Sequence, residues 1–266
     1  QILQFGFTVG SDTPIEGVKQ VPPAGLVSID LNNLTPVADR WAPPPVFAAD
    51  DNPVDRLKVD AYVEELESVL LASVSDRLIA DVPVGVMLSG GLDSSLVAAL
   101  AARVNPDIRA FSVTFSSSDP GTDHFHSRLV SSSLGLDHVE IDGGEIETTT
   151  FVELARFLDS PIIDSSLLPA FALSRSIREY CKVAISGDGA DEIFGGYPRY
   201  AYVLNEVATW GRLNHRLRQL VVDGAMMALP LGFPGRGRLM KFETDFRSRQ
   251  LVHSRLFHRR DITKLL

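Results

Sequence analysis

The pattern of apolar positions changes along the chain from Val63 onward. Val63, Leu66, Val69, Leu70, Val74 and Leu78 recur at steps of three and four, the spacing of one face of an amphipathic helix. Val82 to Leu88 is then a short apolar run, Ser94 to Arg103 reads as helix, Ile108 to Phe115 as strand, and His126 to Leu134 as helix. Val139-Glu140-Ile141 is a further short strand, and a helix over Ala170 to Tyr180 leads into a last strand at Lys182 to Ile185. Strands alternating with helices predict an α/β fold, a parallel twisted sheet with helices on both faces. Ligands of such sheets sit at the carboxyl ends of the strands.

Upstream the periodicity is interrupted. The stretch Val37 to Pro53 contains Trp41-Ala42-Pro43-Pro44-Pro45 and Asp50-Asp51-Asn52-Pro53. Successive prolines cannot continue a helix or a central strand, so this stretch reads as a linker. It separates residues 1–45 from a domain expected over 55–266. Composition adds limits more than identity. A chain of 266 residues with 45% hydrophobic and 22% charged residues has the balance of a globular protein. Its net charge of −9 supplies no basic face for nucleic-acid phosphates or an anionic membrane, and neither partner is expected. No apolar run approaches the ~18 residues of a membrane span. The single cysteine, Cys181, rules out an internal disulfide and fits a reducing cytoplasm. A start at Gln1, with neither initiator Met nor leader, reads as a fragment.

Two short segments carry the chemistry. In the first, the apolar strand Val84 to Leu88 runs into Ser89-Gly90-Gly91-Leu92-Asp93-Ser94-Ser95, where a helix begins. Glycines let the backbone approach a ligand, and a helix N-terminus offers unpaired N–H groups to an anion. Ser89, Ser94 and Ser95 add hydroxyl donors. A carboxylate at Asp93 would repel phosphate unless a cation lay between them, so Mg²⁺ coordination is its natural role. The same Asp93 and Ser94 would also serve as plain helix caps. There is no Lys after the glycines, so this is not a Walker loop.

In the second, Val183-Ala184-Ile185 ends in Ser186-Gly187-Asp188-Gly189-Ala190-Asp191-Glu192, followed by Phe194-Gly195-Gly196-Tyr197. Three acids this close repel one another unless cations or hydrogen bonds offset them. A solvated acidic loop capping the next helix is the bland reading. Placement at a strand end in the same sheet favours a metal site shared with the first segment.

The string Val82 to Ser95 resembles the pyrophosphate-binding loop of the asparagine synthetase family (glutamine-hydrolysing), whose synthetase domain is a PP-loop ATP pyrophosphatase with an adenine nucleotide alpha hydrolase-like fold. Ser186 to Tyr197 resembles the second signature of that family. The resemblance implies that Leu88, Ser89, Gly90, Gly91, Asp93, Ser94, Ser95, Val113, Ser186 and Gly187 bind ATP, with Leu88 and Val113 at the adenine. It implies Asp93 and Asp191 as Mg²⁺ ligands and Asp188 as a catalytic group in forming an acyl-adenylate. Aspartate, or another carboxylate, and ammonia from a glutaminase domain are the implied substrates beside ATP.

Ala110 to Phe115, Leu134-Gly135-Leu136-Asp137-His138, and Asp159-Ser160-Pro161 with Asp164-Ser165-Ser166 resemble further family segments. His138 reads as structural, since no step of the adenylation requires it. Asp123-His124 stands where the family usually has Asp-Glu. Thr13 to Pro23 and Asp39-Arg40-Trp41 resemble the last strands and exit of the family's Ntn-type glutaminase domain, whose nucleophilic N-terminal Cys has no counterpart at Gln1. Cys181 reads as a core thiol. The chain therefore reads as a synthetase domain cut short at both ends, with no glutamine hydrolysis expected. The Arg-rich stretch Leu213 to Phe257, with Arg216, Arg218, Arg236, Arg238, Arg247 and Arg249, reads as solvated helix faces; Lys264 does not match the family's catalytic Lys. Two alternatives stay open: an intramolecular amide-forming relative (β-lactam synthetase or lasso-peptide cyclase), and a non-catalytic nucleotide-binding fragment. Asp188 and Glu192 favour the asparagine synthetase branch over the first.

Overall fold

The computed structural model of the chain describes residues 2–42, 58–114, 123–143, 147–164, 166–210, 214–230, 233–236 and 239. Its elements begin with α1 (Ile2–Phe5), β1 (Gly25–Ile29), β2 (Pro36–Arg40), α2 (Val59–Arg77), β3 (Val84–Met87), α3 (Leu92–Val104) and β4 (Arg109–Thr114). They continue with α4 (Asp123–Leu134), β5 (His138–Asp142), α5 (Thr148–Ala155), α6 (Leu167–Ile177), β6 (Val183–Ile185), α7 (Ala190–Phe194), α8 (Pro198–Trp210) and α9 (His215–Ala228). The chain divides into two compact units.

One unit spans Asp50–Phe157 and Ser165–Gly196 and holds a four-stranded sheet in the order β5-β4-β3-β6. Every pairing in it is parallel. Alternation decides what lies on each face. Val86, Leu88 and Ala110 pack with Val74 of α2, with Ala98, Leu100 and Ala101 of α3, and with Ile108 and Leu136 in one buried cluster. Phe111, Met87, Val139, Ile141 and Ala184 pack instead with Leu173 and Ile177 of α6 and with Cys181. Helices thus cover both faces, as the alternation of strands and helices predicts. Strand β3 is central, and Val86 is fully buried. Eight expected elements match α2, β3, α3, β4, α4, β5, α6 and β6, with ends shifted by a few residues; Phe115 lies outside the described residues.

The sheet order carries the functional consequence. From β3 the chain moves outward through β4 to β5, then returns to place β6 on the opposite side of β3. The order reverses between β3 and β6, which makes that gap the switch point where such sheets bind ligands.

The other unit spans Gln1–Ala49, Leu158–Asp164 and Tyr197–Leu266. Its strands β1 and β2 form an antiparallel ribbon from Gly25↔Arg40 to Ile29↔Pro36. Val37 to Arg40 is therefore strand, and the irregular stretch begins only after it; residues 43–57 lie outside the described residues. In the same unit Val222 and Met226 of α9 pack with Leu239. Two arginines here depart from the expected solvated faces. Arg236 is buried and its Nε donates to the Leu229 carbonyl at 3.2 Å, because that carbonyl at the end of α9 has no intrahelical donor. Arg218 is half-buried, one turn before Val222 on the apolar face. Arg216 is exposed as expected, whereas Arg238, Arg247, Arg249 and Lys264 lie outside the described residues. No helix among the described residues is long and apolar enough to cross a membrane.

Two features of the sheet can be tested by unfolding. A Cβ on Gly85 would overlap the Phe111 ring and stand 3.1 Å from Cys181 Sγ. Gly85→Val should lower stability by about 1–3 kcal/mol, the usual cost of overpacking, measured as a lower urea midpoint. Burial also pushes the Cys181 thiol pKa up, against a smaller lowering by the backbone N–H groups of Gly85 and Val183. The raised pKa means the folded state favours the protonated thiol. That contribution is complete below about pH 8.5, where the unfolded thiol titrates, and is lost as pH rises through the folded pKa. Stability should fall more between pH 8 and 10 in the wild type than in Cys181→Ala.

Candidate nucleotide and metal site

Both signature loops emerge at the switch point. The register Val84↔Val183, Gly85↔Ala184, Val86↔Ile185 places the ends of β3 and β6 at the same level, so Ser89 to Asp93 and Ser186 to Asp191 leave the sheet side by side. The loops also touch. A Cβ on Gly187 would stand 2.8 Å from the Ser94 nitrogen and 2.9 Å from the Asp93 carbonyl carbon. Backbone against backbone leaves no flexible atom to give way, so position 187 admits only glycine.

The first loop turns at Gly90, whose φ of 86° suits a residue without Cβ. Gly91 is the N-cap of α3, in extended conformation and with no side-chain capping bond. Asp93 and Ser94 consequently lie inside the first turn, and the capping role that the sequence left open for them is not the one adopted. Ser89 and Ser94 share a hydroxyl–hydroxyl bond of 2.9 Å. The Ser94 and Ser95 hydroxyls both donate to the Gly91 carbonyl, at 3.2 and 2.7 Å. This ties down the turn and leaves the first N–H groups of a thirteen-residue helix at the strand end, with their positive partial charge.

The second loop is braced from within. The Ser186 hydroxyl donates to Asp188 Oδ2 at 2.8 Å and accepts from the Asp188 N–H at 3.3 Å. Gly189, left-handed at φ 91°, starts the short helix that carries Asp191 and Glu192 in its first turn. Asp188 and Glu192 are exposed and Asp191 is half-buried.

Of the residues assigned to ATP, Ser89, Gly90, Gly91, Asp93, Ser94, Ser95, Ser186 and Gly187 fall on these two loops. Leu88 does not present its side chain there. It is 1% exposed in the core cluster, and its N–H donates to the Phe111 carbonyl at 2.8 Å. Val113, half-buried, lies on the next strand, β4. Of the two residues expected to hold Mg²⁺, Asp93 lies on the first loop and Asp191 on the second. No group of three or more His, Cys, Asp or Glu residues that could hold a metal occurs among the described residues. That set fits Mg²⁺ held jointly with nucleotide phosphates, because Mg²⁺ is ordinarily bound by one or two carboxylates plus substrate phosphates. It does not fit a protein-only cage.

His138 is structural, as expected. It lies between the Ser112 hydroxyl, 2.9 Å from Nε2, and the Ser131 hydroxyl, 3.1 Å from Nδ1, and joins β4, β5 and α4. The sequence reading missed these serines, and it also missed the brace from Ser186 to Asp188. The i, i+2 spacing of a Ser and an acid in a turn is the signal that could have found the brace.

Comparison with known proteins gives a consistent family. The family profile described as asparagine synthase matches residues 65–261. A Mycobacterium bovis protein, provisionally named a glutamine-hydrolysing asparagine synthetase, is 31% identical over 257 residues, covering 96% of this chain and 38% of that protein. Glutamine-hydrolysing asparagine synthetase 1 of Bacillus subtilis is 27% identical over 263 residues, covering 97% of this chain and 39% of that protein. This chain thus spans about two fifths of the length of such relatives. Among solved structures, the NH3-dependent NAD synthetase of Campylobacter jejuni aligns at 14% identity and a TM-score of 0.36, over 71% of this chain and 96% of that one.

The contact between the loops gives a direct test. Gly187→Ala must separate them, so ATP affinity should fall at least about tenfold, the equivalent of ~1.4 kcal/mol. Isothermal titration of the variant beside the wild type reads this out.

Proposed function

The chain belongs to the asparagine synthase family, and from that premise we propose that it is the ATP-pyrophosphatase part of an amide-forming ligase. The observation that carries this reading is the contact of Gly187 with Asp93 and Ser94 at the reversal of strand order. It brings the N-terminus of α3 and a second carboxylate-bearing loop to one place, which supports joint binding of a phosphate and a cation. In the proposed reaction a carboxylate oxygen of the substrate attacks the α-phosphorus of ATP, forming an acyl-AMP and expelling pyrophosphate. Ammonia then attacks the acyl carbon, loses a proton and expels AMP, leaving the amide. Aspartate is the proposed acyl substrate and asparagine the product.

The residues act mainly by positioning and charge neutralisation. The N–H groups opening α3 receive the pyrophosphate, and the hydroxyls of Ser89, Ser94 and Ser95, which hold that turn together, would rotate out of those bonds to join them. Asp93 and Asp191 would hold Mg²⁺, which when bound neutralises phosphate charge and stabilises the leaving pyrophosphate. Gly187 lets the two loops close on the nucleotide. Asp188, oriented by the Ser186 hydroxyl, faces the developing acyl-adenylate. Residues 1–45, including the β1–β2 ribbon, are proposed as the end of a glutaminase domain that would deliver ammonia. Buried Cys181, the single thiol, supports a cytoplasmic setting.

Titration of this chain with ATP should show binding that strengthens with Mg²⁺, and Asp93→Ala and Asp191→Ala should each abolish that dependence. Full Mg·ATP affinity in either variant would sink the metal assignment. In the longer protein, AMP release should require both aspartate and ammonia. There Asp188→Asn should lower kcat while ATP binding stays near wild type.

A further inference from the structure

The two glycines after the acids of the second loop have no role in the reading above, and their environments differ. Gly195 ends α7 in left-handed conformation at φ 69°, an ordinary helix terminator. Gly196 is not left-handed, so its backbone is open to any residue. What it lacks is room. A Cβ on Gly196 would fall on Asp191 Oδ1, with Asp191 Cγ at 3.1 Å and Cα at 3.3 Å. The chain is also fastened there, since the Gly196 N–H donates to the Asp191 carbonyl at 3.0 Å. The Asp191 carboxylate therefore rests directly on the bare Cα of Gly196.

We infer that Gly196 is a positioning residue for Asp191: its missing side chain is the space that the carboxylate occupies, and so it fixes the direction in which Asp191 presents its oxygens to a cation. The inference rests on Asp191 as a Mg²⁺ ligand. It contrasts with Gly187, where an added Cβ meets backbone and any substitution must disturb the loops themselves. At Gly196 the obstructing atom is the tip of a side chain at a half-buried position. A methyl group there costs the fold little, because the carboxylate can swing away. What it removes is the rotamer. Metal-ligand orientation is sensitive to this kind of support, and losing such a partner weakens metal binding about 10–100-fold.

Gly196→Ala is the test, in the whole chain, with melting followed by circular dichroism. The Mg²⁺ concentration that half-maximally enhances ATP binding should rise about 10–100-fold, whereas ATP affinity without metal and the melting midpoint should stay at wild-type values. Unchanged Mg²⁺ dependence, with Asp191→Ala losing it, would overturn the inference and leave the metal assignment intact. A crystal structure of Gly196→Ala gives a readout that needs no nucleotide. Asp191 in its original rotamer overturns the inference whatever the titration shows. A displaced carboxylate, with Mg²⁺ dependence unaffected in both Gly196→Ala and Asp191→Ala, supports the positioning role and sinks the metal assignment instead.

Discussion

The pairing of β3 with β6 is the constraint on which the candidate site depends. These strands lie nearly a hundred residues apart in the chain, yet their parallel register brings Val86 level with Ile185, three residues before the first loop begins and one before the second. A slip of one residue would move Ile185 and Ala184 to the wrong faces. Ile185 packs with the cluster built on Val86 and Leu88, whereas the small Ala184 fits beside Phe111 and Cys181. The alternation that buries these side chains therefore also sets the height at which Asp93 and Ser186 leave the sheet. Packing of the core and alignment of the site are one requirement.

Close approach completes what register begins. Gly187 lies against the start of α3 and Gly196 against the Asp191 carboxylate, and each contact exists because a side chain is missing. The acids that surround these contacts are kept apart in kind. Asp188 is tied to the Ser186 hydroxyl, Asp191 lies on Gly196, and Asp93 stands on another element, inside the first turn of α3. The serines of the first loop spend their hydrogen bonds on each other and on the Gly91 carbonyl, which holds the helix start in place before any ligand arrives.

Much of this was legible in the chain itself. Three- and four-residue steps marked α2, although Val63, Leu66 and Val69 are exposed and only Leu70, Val74 and Leu78 of that set pack against the core. Short apolar runs alternating with helix-like stretches marked the other seven of eight elements of the sheet unit. The α7 helix, five residues long, is too short to show a period. The two loops were visible in composition as glycine, serine and acids between an apolar strand and a helix, but that composition also suits plain caps and solvated turns, and their implied roles came from resemblance to the family. Arg236 was misread because an arginine that caps a carbonyl and one that faces water look alike without their surroundings. The resemblance matched Leu88 to a position lining the adenine pocket, and only packing showed that its side chain lies in the core.

By itself, then, the sequence determined the α/β class, the elements around the sheet, and the residue types available to a phosphate and a cation, because these depend on local spacing and chemistry. The strand order, with its reversal between β3 and β6, was decided only by the tertiary structure. So were the contact of Gly187 with Asp93 and Ser94, the place of Asp191 over Gly196, and the tether of His138 between Ser112 and Ser131. Which strands become neighbours depends on how all the buried faces pack at once, and no single segment of the chain carries that information.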